Sequence, residues 1–179
     1  MLSCKTNPEK QGVTHGLSLK VSPANFLVKT TAAPNKTSDT TNIDKEIADQ
    51  TETVYIVVAD TGLDYYALSN EMKNLNHSIN KPIDTMDRCY NKTKDLIALP
   101  DTSSDEIYAG DYYPRRYPSE FMSLEYMSSY KSGSSKKTIA LIAGIYEKKA
   151  SADSAAKRLM PVQGKAFTIK TSLYMGCIH

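Results

Sequence analysis

The sequence predicts an α+β domain behind a polar N-terminal tail. Three observations predict it. Two β-branched apolar runs, residues 54–59 (VYIVVA) and 138–146 (TIALIAGIY), read as strands, and each is followed by apolar residues at helical spacing. A third run, 166–174, alternates apolar and polar residues as a half-buried strand does. The residues before about position 50 are rich in Lys, Thr, Ser, Asn and Pro and carry few large apolar groups. Such a segment buries too little surface to offset its ordering entropy.

The elements follow in order. After the first strand, Asp60 and Thr61 offer an N-cap to a helix over about 63–79. Tyr65, Leu68, Met72, Leu75 and Ile79 fall on one face of it, and Pro82 marks the exit. A second extended stretch runs over 86–99, broken by the polar residues 91–94, where Asn91-Lys92-Thr93 reads as a turn or an exposed bend, and closed by Pro100. The run 138–146 is the most apolar in the chain and is expected to be central. A second helix starts near Ser151, a candidate N-cap. Its apolar face is Ala152, Ala155, Ala156 and Leu159, small enough to lie close against a sheet, and Pro161 and Gly164 end it. In the last strand Phe167, Ile169, Thr171 and Leu173 share a face. The order is β-α-β, a long interruption, then β-α-β. Two such halves form a split βαβ antiparallel sheet with both helices on one face.

This pattern resembles the SPOR-like (sporulation-related repeat) domain, a ferredoxin-like βαββαβ module of bacterial envelope proteins. The second half carries the resemblance: an apolar strand with Gly144, then Ala152, Ala155, Ala156 and Leu159 in the helix, then a final strand. The first half departs from it, since Ala59-Asp60-Thr61-Gly62 stands where the family has a Gly-Ser-Phe-like end. The likeness covers residues 53–179 apart from an insert at about 101–135. It implies a non-enzymatic module that binds peptidoglycan glycan strands stripped of their stem peptides.

The tail adds a second resemblance. Leu2-Ser3-Cys4 resembles the end of a bacterial lipobox, which implies cleavage before Cys4 and a diacylglycerol on its thiol. The basic and apolar stretches of such a signal are not among the residues before Cys4. A solvated tether directly after an acylated cysteine is what a lipid-anchored protein needs; the plain alternative is a disordered terminus with a chance cysteine. One apolar island, residues 17–29, offers a strand for docking on the domain or on a partner. The organisation expected is therefore a lipid-anchored tether over 1–51 and an α/β domain over 52–179. The place expected is the outer membrane of a Gram-negative bacterium, facing the periplasm or the cell surface.

The insert is the most distinctive stretch. It holds Tyr108, Tyr112, Tyr113, Tyr117, Tyr126 and Tyr130, with Arg115 and Arg116 bracketed by Pro114 and Pro118. Residues 119–130 (SEFMSLEYMSSY) read as a short helix capped by Ser119, with Phe121, Leu124, Tyr126 and Met127 inward. Tyr and Arg are enriched where proteins bind other molecules, so Tyr112, Tyr113, Arg115, Arg116 and Tyr117 are the candidate contacts to glycan or protein. The competing reading packs the tyrosines over the sheet and bridges the arginines to Asp105, Glu106, Asp111 or Glu120.

Composition narrows the function classes. Across 179 residues the formal net charge is +2, so the balance carries no pull toward nucleic acid or anionic membrane. No Gly-rich phosphate loop, nucleophile elbow or basic stripe is present. Cys177 and His179 are two metal-ligand types without a matching third, and His15 and His77 have no nearby thiol, so neither metal nor cofactor is expected. Cys177 beside a chain end is a poor nucleophile, and no enzyme activity is expected. Cys89 and Cys177 are a candidate disulfide for an oxidising compartment. Against that pair stands the expected topology, which puts 86–99 and 166–174 on opposite edges of the sheet. Two functions are carried forward: a glycan-binding envelope lipoprotein, and an accessory lipoprotein subunit of an outer-membrane protein complex that contacts its partner through the tail and the Tyr/Arg insert.

Overall fold

The computed structural model describes residues 50–176. Cys4, the island at 17–29, Cys177 and His179 lie outside the described residues. The fold is mixed α/β. Strand β1 (Thr51–Gly62) leads into helix α1 (Tyr65–Ile79), and a small hairpin follows, β2 (Cys89–Asn91) with β3 (Leu96–Ala98). Strand β4 (Ser123–Tyr126), a 3-10 turn, strand β5 (Ile139–Tyr146), helix α2 (Lys149–Leu159) and strand β6 (Phe167–Tyr174) complete it. The main sheet has the order β4-β5-β1-β6, every neighbouring pair antiparallel.

Strand β1 exceeds the expected 54–59 at both ends because it pairs along its length with two strands, β5 on one side and β6 on the other. Every residue of β5 is buried, and it lies inside the sheet, as its unbroken apolar run requires. Helix α1 is capped by Asp64 rather than by Asp60 or Thr61. Asp64 Oδ1 accepts from the N–H groups of Tyr66 at 2.8 Å and Ala67 at 3.1 Å. Asp60 remains within β1 and accepts from the Thr61 N–H. Helix α2 begins at Lys149, ahead of Ser151, and Lys148 at its N-cap position makes no side-chain cap.

Besides these caps, two expected elements are overturned. Residues 119–130 are not a helix; they hold β4 and the 3-10 turn at Met127–Ser129. Phe121, Leu124 and Met127 recur at a spacing of three and so mimic a helical face. The segment is buried on both sides, however, and its alternation is that of a strand: Met122, Leu124 and Tyr126 point to the helices, Ser123 and Glu125 away from them. Ser119 extends the pairing by exchanging backbone hydrogen bonds with Ile145. Nor is 86–99 a strand of the main sheet. It forms the separate hairpin, turned by Asn91, whose Oδ1 accepts from the N–H groups of Thr93 and Lys94. The edge opposite β6 therefore belongs to β4.

The sheet has two buried faces. On one, Val57, Ala59, Leu141 and Ala143 meet Leu68, Met72 and Leu75 of α1 and Ala152, Ala155 and Leu159 of α2. On the other, Val54, Ile56, Val58, Ala140, Ile142 and Leu173 pack with Met127 and Tyr130. The β1–β5 register slips where Val57 faces Gly144 and Val58 faces Ile142. This bulge reverses the alternation of β5, so that Ile145 joins the second face and Tyr146 the first. Gly144 is needed beside it: a Cβ there would lie 2.7 Å from the Tyr146 ring.

Candidate functional site

The second face, which carries no helix, is closed by irregular chain. Pro82 O accepts from the Met122 N–H and the Asp84 N–H donates to Met122 O, so the segment leaving α1 lies along the outer edge of β4. At Met86 and Asp87 two successive residues take positive φ, 52° and 58°. Asp84 Oδ1, which accepts from the Met86 N–H, and Thr85 O, which accepts from the Arg88 N–H, hold the turn. The turn delivers Arg88 to Glu125.

Glu125 is fully buried, and its carboxylate is saturated. Arg88 grips it with two parallel bonds, Nη2 to Oε1 at 2.5 Å and Nη1 to Oε2 at 2.8 Å. Ser123 donates to Oε1 at 2.7 Å and Tyr112 to Oε2 at 2.8 Å. The Arg115 backbone N–H approaches Oε2 at 3.4 Å. Arg88 also donates to the carbonyls of Thr85 and Tyr113. Burial works to raise the Glu125 pKa, but the hydrogen bonds and charge of Arg88 overcome it and hold the carboxyl below its ordinary value. Burial lifts the Tyr112 hydroxyl, and so does the neighbouring Glu125 charge. The site joins three distant stretches, at Arg88, at Tyr112–Arg115 and on β4, through one carboxylate.

From there the chain crosses the sheet. Tyr130 donates to Arg115 O at 2.8 Å, and Arg116 Nη1 donates to Tyr174 O at 3.2 Å. Glu125 lies on β4 and Tyr174 on β6, so residues 112–116 strap the helix-free face from one edge to the other. Arg115 points inward, with no exposed surface. Its guanidinium sits over the Phe121 ring at 4.4 Å and donates to Phe121 O, while its Nε and Nη2 have no protein partner. Burial lowers its pKa.

The outer side of the strap carries a recess of about 210 Å³ lined by Met86, Tyr113, Pro114, Arg116, Tyr117 and Met175. Tyr113 donates to Met86 O at 2.8 Å, and the Tyr117 hydroxyl meets the Met86 sulfur at 3.4 Å. Arg116 lies over the Tyr174 ring. The recess is smaller than the ~300–1,000 Å³ usual for small-molecule pockets, and it suits one ring or one side chain.

The five candidate binding residues thus separate. Tyr112 and Arg115 belong to the buried network; Tyr113, Arg116 and Tyr117 surround the recess. The expected bridges to Asp105, Glu106, Asp111 or Glu120 are not formed. Each arginine donates to a backbone carbonyl instead, and the carboxylate at the centre is Glu125, held by Arg88. Sequence reasoning missed Arg88, Ser123, Glu125, Met86 and Met175. The one available signal was Glu125 itself, a lone carboxylate inside an apolar run.

Cys89 is disulfide-bonded. Among the described residues no group of three or more His, Cys, Asp or Glu could hold a metal ion, and no helix is long and apolar enough to cross a membrane. Comparison with protein-family profiles, curated proteins and solved structures finds no match to this chain.

Proposed function

We propose that this chain is a non-enzymatic, lipid-anchored protein of the Gram-negative envelope whose split βαβ, SPOR-like domain binds peptidoglycan glycan at the recess of Tyr113, Arg116 and Tyr117. The strand order β4-β5-β1-β6 supports the fold part of this reading, as do the two helices that share one core cluster. The observation that carries the binding part is the recess. Two tyrosines and a guanidinium converge there on the solvent side of a strap that is itself rigidly tied down. Tyrosine faces stack on sugar rings, and a guanidinium pairs with carboxylates. Cys4 carries the anchor in this reading, and the polar tail spans from it to the domain at the outer membrane.

Co-sedimentation of the full chain with purified sacculi tests the proposal. Retention that rises after amidase treatment of the sacculi, and that falls when Arg116→Ala is used, is the expected result. No retention on either preparation overturns it.

A second reading is an accessory lipoprotein subunit of an outer-membrane protein complex. The observation favouring it is apolar exposure around the α2–β6 connection: Met160 is 52% exposed, Val162 46% and Phe167 38%. Charged replacement of all three, with recovery of membrane partners measured by affinity purification, distinguishes it. Loss of partners together with unchanged sacculus behaviour selects the subunit reading.

A further inference from the structure

The main sheet has two edges, and the chain treats them differently. Along β4 the edge is occupied: Ile83 bridges to Met122 in parallel, Pro82 O accepts from the Met122 N–H, and the Asp84 N–H donates to Met122 O. Strand β6 pairs with β1 alone. The phase of that pairing decides which of its backbone groups are spent. In an antiparallel ladder, residues alternate between exchanging bonds with the partner strand and turning both groups the other way. The Met175 N–H donates to Gln50 O at 2.7 Å, in the register that continues through Thr51 with Tyr174 to Val58 with Phe167. Leu173, Thr171, Ile169 and Phe167 therefore bond to β1, and Tyr174, Ser172, Lys170 and Thr168 turn their N–H and C=O groups to the open edge. Tyr174 agrees with this phase, since its carbonyl accepts from Arg116 Nη1 at 3.2 Å. The strap thus closes the last position of the edge. The edge-facing groups of Thr168, Lys170 and Ser172 have no partner among the described residues.

An unpaired edge is a template for a further strand, and the side chains here narrow what that strand is. Lys170 stands at the centre of the open stretch, exposed and in no ion pair among the described residues. Residues 166–175 contain no acid, Lys165 precedes them, and Arg116 closes the far end. The edge is therefore positive along its length. Successive side chains of a strand point to opposite faces, so Phe167 and Ile169 lie on the strap side and Lys170 on the helix side. Phe167 is 38% exposed, and Ile169 is only partly buried against the second core cluster. We propose that the β6 edge at Thr168–Ser172 is a docking site for an extended segment of another protein, which adds to the sheet as a strand and sets an acidic side chain, flanked by apolar ones, beside Lys170. Backbone bonds to Thr168, Lys170 and Ser172 hold the segment, and its alternation selects it: the acid meets Lys170, and the apolar residues extend the cluster beyond Phe167 and Ile169. The β6 strand of a second copy would bring another lysine and no acid, so it fits this edge less well. The site does not rest on the glycan reading.

Residue-resolved hydrogen exchange of the full chain tests the site, with a short capped peptide of alternating valine and glutamate as the probe. In the free chain the Thr168, Lys170 and Ser172 amides are expected to exchange fast and the Ile169 and Thr171 amides slowly. Peptide at about ten times its Kd is expected to slow the three edge amides about tenfold. The same peptide N-methylated at alternate residues, which cannot pair as a strand, is expected to leave them unchanged. Lys170→Glu, a change at an exposed position, is expected to weaken the valine–glutamate peptide several-fold and to favour a valine–lysine peptide instead. No slowing of the edge amides at millimolar peptide overturns the proposal, and so does equal slowing by the N-methylated peptide. An unchanged preference in Lys170→Glu overturns the acidic partner. Edge amides already protected in the free chain also overturn it, because the edge is then covered; protection that rises with protein concentration assigns it to a second copy. Sacculus retention is scored separately: its absence in a chain that binds the peptide counts against the glycan reading and leaves the docking edge standing.

Discussion

The two faces of the four-stranded sheet are closed by different means. On one face, two regular helices cover Val57, Ala59, Leu141 and Ala143 with aliphatic side chains and small alanines. On the other, an irregular strap is tied down by a buried ion pair and its satellites. The helix face draws its stability from non-directional burial, which tolerates exchange of one apolar group for another of similar volume. The strap depends on partners in fixed geometry, where removing one member leaves another buried and unpaired. Directional bonding allows a chain without periodic structure to lie in one conformation and present a defined outer surface. The candidate recess lies on the outer side of that strap.

Breaking the strap at its centre gives the largest effect. Glu125→Ala leaves the Arg88 and Arg115 charges buried with no carboxylate between them and is expected to destabilise by ~3–5 kcal/mol, read as the urea midpoint of the full chain. On the helix face, Leu159→Ala opens a cavity in the core cluster that Leu159 shares with Leu68 and Ala152. Its expected cost is ~2–5 kcal/mol, and Leu159→Met should recover most of that loss, whereas Glu125→Gln should recover little of the strap. Equal rescue by both conservative changes would erase the distinction between the two faces.

Acid sharpens the comparison further. The Glu125 carboxyl titrates below its ordinary value in the folded chain because Arg88, Ser123 and Tyr112 stabilise its charge. The unfolded chain therefore binds the proton first on acidification. The stabilisation is fully present above the ordinary glutamate pKa, ~4.3, and is lost as pH falls through the lower folded value. Urea midpoints measured from neutral pH downward should fall over that window in the wild type, and the fall should be shallower in Glu125→Gln. Parallel profiles would mean that Glu125 does not link pH to stability.

The helix face was legible in the sequence because its elements carry a period: 3.6 in Leu68, Met72 and Leu75, and an unbroken apolar run in β5. The strap was not. Strand β4 alternates from Met122 to Tyr126, but the alternation lasts only five residues, its polar face is buried rather than exposed, and Phe121, Leu124 and Met127 counterfeit a helix across it. The tie between Arg88 and Glu125 spans distant parts of the chain, and nothing local announces it. The Tyr/Arg cluster was visible by composition, yet composition could not show that adjacent Arg115 and Arg116 face opposite ways. The hairpin at 89–98 was legible in part: Asn91-Lys92-Thr93 reads as a turn and is one, but nothing local shows that the short apolar runs on either side pair with each other instead of joining the main sheet.

In the proposed reading Arg115 fixes the buried side of the strap, while Arg116, beyond its tie to Tyr174 O, serves glycan binding on the outer side, so the division runs between two neighbouring arginines. Thermal melting and sacculus co-sedimentation of Arg115→Ala and Arg116→Ala, each in the full chain, test it most directly. Arg115→Ala is expected to lower the melting temperature by roughly 5–10 °C. Arg116→Ala gives up one partly exposed bond, to Tyr174 O, and is expected to lower the melting temperature less than Arg115→Ala does and to lose sacculus retention. An Arg116→Ala chain that melts and sediments like the wild type, or an Arg115→Ala chain with unchanged melting, would contradict it.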